Sequence, residues 1–172
     1  MYFTAVTTML GVRAHPLPPE SLLQNYAAGG AYTDCYATGI ALAVSHAAFV
    51  AAFYTTALFK AERLVLRIFA SRPSSDAQAR ALALGELSSF AAWSAEARAA
   101  NQLLVRDFTG RTRSWLMVEP LSPSSTRLLF GSAIVPRRDG RLGSGFTALM
   151  GFHKIYSQLL LAGARRRLAL HP

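Results

Sequence analysis

Residues 144–170 read SGFTALMGFHKIYSQLLLAGARRRLAL. Apolar residues recur at Phe146, Leu149, Phe152, Tyr156, Leu159, Leu160 and Gly163. Steps of three and four gather them on one side of a helix. Ser144 suits the N-cap, and Arg165, Arg166 and Arg167 fall in the last turns, where the helix dipole favours positive charge. At about 1.5 Å per residue such a helix is roughly 40 Å long and crosses a whole small domain. A helix this apolar needs a large apolar surface to lie on, and the strand-rich stretch before it is the candidate.

That stretch begins at Leu87. Segments 102–108 (QLLVRDF) and 112–119 (TRSWLMVE) flank Thr109-Gly110-Arg111, a hairpin with glycine in the turn. Residues 120–125 (PLSPSS) read as a second turn, and 126–135 (TRLLFGSAIV) as a third strand stopped by Pro136. An earlier extended piece runs from Ser89 to Arg98 and carries Phe90, Trp93 and Glu96. Residues 137–143 (RRDGRLG) form a polar connector to the long helix.

Before this region, 32–44 (YTDCYATGIALAV) combines β-favouring residues with loose alternation and predicts a strand. Ser45 caps a helix through Phe49, Ala52, Phe53 and Thr56, and a second helix is expected from Leu58 to Ala70. Ser75 or Asp76 caps a third, alanine-rich helix that Gly85 ends. Residues 1–20 are a lead-in stiffened by Pro16, Pro18 and Pro19, and Pro18 to Leu23 opens a short helix before the Gly29-Gly30 turn. With no internal repeat and no linker, the 172 residues read as one domain: a lead-in over 1–31 and a core over 32–172.

The chain is 52% hydrophobic and 16% charged, too apolar for disorder. Residues 39–59 carry no Asp, Glu, Lys or Arg, but their Ser, Thr and His residues fit a strand running into a buried helix better than a membrane span. The N-terminus has no secretory pattern, so a cytoplasmic protein is expected. A lone Cys35 excludes an internal disulfide and a cysteine-based metal cluster. The net charge of +9 is uneven: residues 137–172 hold seven bases and one acid. That end permits an anionic partner. Sixteen of the 18 bases are Arg, a bias that a GC-rich genome would also produce.

Segregated helices and hairpins imply an α+β fold, a curved antiparallel sheet packed on the long C-terminal helix. The element order (strand 32–44, helix pair 45–70, hairpins 87–135, helix 144–170) resembles the helix-grip fold of the START-like, polyketide-cyclase-related superfamily. The resemblance covers about four-fifths of the chain. It implies a cavity between sheet and helix. Four or five strands are counted here against the six or seven usual in that family; residues 1–10 (MYFTAVTTML) could supply a missing one. FAAWSAEAR, TRSWL and TRLLFGSAIVP look like fixed motifs of a bacterial family to which no activity attaches.

Alternation places Arg113, Trp115 and Glu119 on one strand face, with Arg127 beside them and Glu96 or Arg98 and Trp93 within reach. One reading is a pocket with an arginine fork for a carboxylate or phosphate and tryptophan as apolar wall. The other is a solvated face of cross-strand ion pairs such as Glu96 with Arg113. His153 and Tyr156, three apart on the long helix, could line a cavity, with His153 as general base; or they are a satisfied core-edge pair. Neither a metal site nor any other cofactor is expected, since no metal-ligating histidine spacing exists. Gly143-Ser144-Gly145 is a weak anion-binding signal and not a P-loop.

Three functions compete. The first is a module binding a small apolar or amphipathic molecule between sheet and C-terminal helix. The second is a cyclase- or hydratase-type enzyme on the same fold. The third is an anionic-surface binder, a membrane rather than nucleic acid, acting through Arg165, Arg166 and Arg167. A homo-oligomer is compatible with all three.

Overall fold

The computed structural model describes residues 11–61, 63, 74–135 and 146–171, with side chains in the last segment from His153 onward. The fold is α+β and helix-grip-like: a curved, unclosed antiparallel sheet packed on a long C-terminal helix. Strands β1 (Arg13–Ala14), β2 (Tyr32–Ile40), β3 (Ser89–Phe90), β4 (Trp93–Ala99), β5 (Gln102–Asp107), β6 (Thr112–Ser122) and β7 (Ser125–Ile134) are ordered β1-β2-β7-β6-β5-β4-β3. The helices are α1 (Gln24–Ala28), α2 (His46–Tyr54), α3 (Asp76–Leu84) and α4 (Phe146–Leu170), and residues 57–61 are also helical.

Seven strands replace the four or five expected. Two of the additions, β1 and β3, are two residues long, too short for alternation to register. β6 also runs through Pro120 to Ser122, where a turn was expected, and its register slips at Pro120 as proline removes a ladder donor. The strand proposed within residues 1–10, the connector over 137–143 and the Gly143-Ser144-Gly145 site lie outside the described residues. So does most of the second helix expected over 58–70.

Both sheet faces are covered. On one face Tyr36, Leu116, Val118, Leu128 and Phe130 form one core with α2, α3 and α4; α2 and α4 lie on the sheet, and α3 packs against α2 and β3. Phe53 is the hub of that core, with ring centroids 4.7 Å from Phe130, 5.4 Å from Tyr54 and 6.2 Å from Phe49. On the other face Cys35, Leu104, Trp115, Met117 and Leu129 pack under Leu17, Leu22, Leu23 and Tyr26 of the lead-in. Gln102 fastens that segment: it donates to the Glu20 carbonyl at 3.0 Å and accepts from the Leu22 amide at 3.0 Å.

The burying face of α4 keeps Tyr156, Leu160 and Gly163 of the expected set but not Leu159. Ser157, Leu160, Leu161, Ala164 and Leu168 are buried, whereas Leu159 is 41% exposed. Gly163 sits where α4 approaches Thr56, and a Cβ there would lie 3.2 Å from its methyl. Stepping from Leu160 through Ala164 to Leu168 keeps the i+4 period that the apolar run around 159–161 left ambiguous.

Local signals set the helix ends. Ser45 accepts from the Ala48 amide at 3.2 Å, and Ser75 with Gln78 forms a full capping box. Gly85 closes α3 at φ 82°, in the left-handed region. Asp76, at the start of α3, ties back to Lys60 (2.7 Å) and Arg63 (2.6 Å). Ser75→Ala is expected to cost about 1 kcal/mol, read as a lowered urea midpoint with an unchanged slope; an unchanged midpoint would show that the cap adds nothing.

Candidate functional site

The residues singled out in the sequence fall in separate places. Four lie on the lead-in side of the sheet. Arg113 reaches Glu96 through Nε (3.1 Å) and Nη2 (3.0 Å) and donates to the Tyr26 hydroxyl at 2.8 Å. Its guanidinium also stands 4.8 Å from the Tyr26 ring centroid, and Tyr26 donates to Glu96. A β-bulge between Ala95 and Ala97 presents Glu96 here. Trp115 is wholly buried, its Nε1–H bonded to Gln102 Oε1 at 2.8 Å. Arg127 pairs with Glu119 at 2.7 Å. The arginine fork is thus filled by the protein's own Glu96 and Tyr26, and its work is to hold the lead-in. Burial, followed by the hydrogen bond to Glu96, raises the Tyr26 phenol.

Two more lie on the helix side. Trp93 packs against the main core, and Arg98 donates to the carbonyls of Leu82 (2.8 Å) and Leu87 (3.3 Å), closing the end of α3. Alternation separates two faces but does not say which one a helix covers; both faces of β6 are apolar in the middle. The structure puts Arg113 and Trp115 on the face opposite the one that meets His153.

On α4, Tyr156 is half-buried against the main core, and His153 meets two residues outside the candidate set, Asp34 and Ser132. Ser132 of β7 lies 2.7 Å from His153 Nε2, and its hydroxyl is 2.5 Å from Asp34 Oδ1 on β2. The Ser132 amide donates to the same oxygen at 3.1 Å. Asp34 and Ser132 are directly opposed in the β2–β7 ladder, which fixes the pair. Burial pushes the His153 imidazole below its ordinary range, with the Asp34 charge opposing that shift. Tyr32, next on the same face of β2, is raised to about 12 by burial and then by the Asp34 charge. The available signal was the even spacing of Tyr32, Asp34 and Tyr36, one face of a strand with a charge in its middle. Cys35, on the other face, has its thiol pushed up to about 12 by burial first, which suits a packing residue and not a nucleophile.

At the far end of β2 an open groove of about 530 Å³ lies between strand and α4. Gly39 and Ile40 border it on one side, and Leu159, Ala162, Arg165 and Arg166 on the other. Arg165 rests against the Gly11 turn, where a Cβ would come within 2.7 Å of its Nη1. Among the described residues, neither arginine has a carboxylate within ion-pair distance.

No family model and no curated protein matches the chain. Among solved structures, a conserved protein of unknown function from Enterococcus faecalis is similar over 97% of this chain and 81% of its own, at 12% sequence identity and a TM-score of 0.44. Among the described residues, no helix is long and apolar enough to cross a membrane, and no cluster of three or more His, Cys, Asp or Glu could hold a metal.

Proposed function

We propose that the protein binds a small amphipathic molecule with an anionic head where the C-terminal helix meets the end of β2. The observation that carries this reading is the groove itself. Its volume of about 530 Å³ suits a small ligand, its floor is apolar, and Arg165 and Arg166 offer guanidinium groups with no carboxylate of the described chain on them. The START-like reading, with a ligand held between sheet and helix, is compatible with this position; here the recess is open at the rim, while aromatic side chains fill the space deeper in.

Calorimetry with dodecanoate tests the proposal, with dodecyltrimethylammonium as the cationic counterpart. Dodecanoate is expected to bind and the ammonium not. Arg165→Gln is expected to weaken dodecanoate about tenfold, the scale of one charge-assisted contact. Ala162→Phe, which fills the groove, is expected to abolish it. Equal binding of both amphiphiles, or binding indifferent to Ala162→Phe, would overturn the assignment. Affinity for anionic vesicles without affinity for monomeric dodecanoate would replace it with a membrane-surface role.

A further inference from the structure

Asp34, Ser132 and His153 come from three elements, and their geometry fixes where the protons sit. The Ser132 Oγ is 2.5 Å from Asp34 Oδ1. Two oxygens that close share a proton, and serine owns only one. With the Asp34 carboxylate as acceptor, that proton points at Oδ1. Oγ then turns only lone pairs toward His153 Nε2, 2.7 Å away, so Nε2 is the nitrogen that carries hydrogen. Nδ1 is left with the free lone pair of the ring. The side chain is 22% exposed.

A second observation marks the site as more than a tie between helix and sheet. The Asp34 side chain is only 9% exposed, and its Oδ2 has no hydrogen-bond partner among the described residues. It lies 3.8 Å from Nε2, and no Lys or Arg of the described chain pairs with it. A buried carboxylate left half-satisfied is costly, and a positive charge arising on the neighbouring imidazole relieves that cost. The other titratable groups on this face of β2 are Tyr32, whose side chain also engages Asp34, and Tyr36; burial first, and then the Asp34 charge, raises both phenols. Lys154, next along α4, is exposed.

We propose that this cluster is an acid–base site, with His153 Nδ1 as the base that deprotonates a small hydroxyl-bearing molecule, water or an alcohol. Asp34 is a positioning residue, acting through Ser132. Its charge holds the tautomer and stabilises the imidazolium. Ser132 is not the nucleophile, because it is wholly buried and its proton is committed to Asp34. The order of contact, carboxylate to hydroxyl to imidazole, separates the site from a serine-hydrolase triad, where the imidazole stands in the middle.

The probe is p-nitrophenyl acetate with water as the hydroxyl. The O–H bond of water breaks and its proton goes to Nδ1. The freed electron pair forms the bond to the acyl carbon, and collapse of the adduct expels p-nitrophenolate, to which the proton returns. Per imidazole, the wild-type protein is expected to exceed free imidazole by at least about tenfold, with a primary-sized solvent deuterium isotope effect. His153→Gln is expected to lose that excess, and Ser132→Ala to keep part of it with a shifted pH profile. Nitrogen NMR of the wild type is expected to show the Nε2–H form at neutral pH. A wild-type rate no higher than that of free imidazole, no isotope effect, or an Nδ1–H tautomer would each overturn the proposal, and none of these three needs a variant to fold.

Discussion

Trp115→Ala is expected to lower stability by about 3–5 kcal/mol and to loosen the segment that crosses the back of the sheet. The indole is wholly buried and belongs to the smaller core with Leu23, Leu104, Met117 and Leu129. Its removal leaves a cavity between two layers that cannot close freely, because the sheet on one side is hydrogen-bonded across seven strands. It also takes a donor from Gln102, the residue that holds Glu20 and Leu22. Urea unfolding gives the energy, and limited proteolysis over residues 17–31 gives the loosening. A midpoint near the wild type with unchanged cleavage would mean that the lead-in does not depend on this core.

Gly131→Ala is expected to cost about 2–3 kcal/mol, a large penalty for one methyl group. The added carbon would sit 2.8 Å from the Asp34 carbonyl oxygen, 2.9 Å from Leu23 Cδ1 and 3.0 Å from Trp115 Cε3. Leu23 can shift, but the backbone oxygen of the paired strand cannot without spreading β2 from β7. That spreading occurs beside Ser132, so the same variant is expected to disturb the His153 contacts, read as a changed His153 imidazole signal. Gly39→Ala is the control within the same sheet. Nothing lies within 4 Å of its Cβ, and it should be close to neutral. If both substitutions cost the same, crowding is not the reason glycine occupies position 131.

Much of the architecture was legible from residue patterns. The long C-terminal helix, the β2 strand, the hairpin at Thr109-Gly110 and the capping signals at Ser45 and Ser75 all rest on short-range rules, and the structure has each of them. What was not legible depends on contacts between distant residues. β6 has Trp115 and Met117 on one face and Leu116 and Val118 on the other, so period-two alternation is silent on which side the helices cover. The proline-bearing lead-in reads as a loose leader, yet it roofs the second core because Gln102 and Arg113, 80 and 87 residues away from Leu22 and Tyr26, offer it hydrogen bonds. The site followed the same rule. His153 was a visible candidate, whereas its companions became visible only once the β2–β7 register set Asp34 opposite Ser132.

That register has a consequence for biosynthesis. Asp34 and Ser132 are 98 residues apart, and β2 has no long ladder partner until β7 has been made. At about 5–20 residues per second, the strand emerges from the ribosome roughly 5–20 s before its complement. Throughout that interval β2 lacks both β7 and α4, its main partners in the finished fold. Nascent-chain solubility should therefore be decided by chaperone supply during translation of the middle third, and not by the stability of the finished molecule.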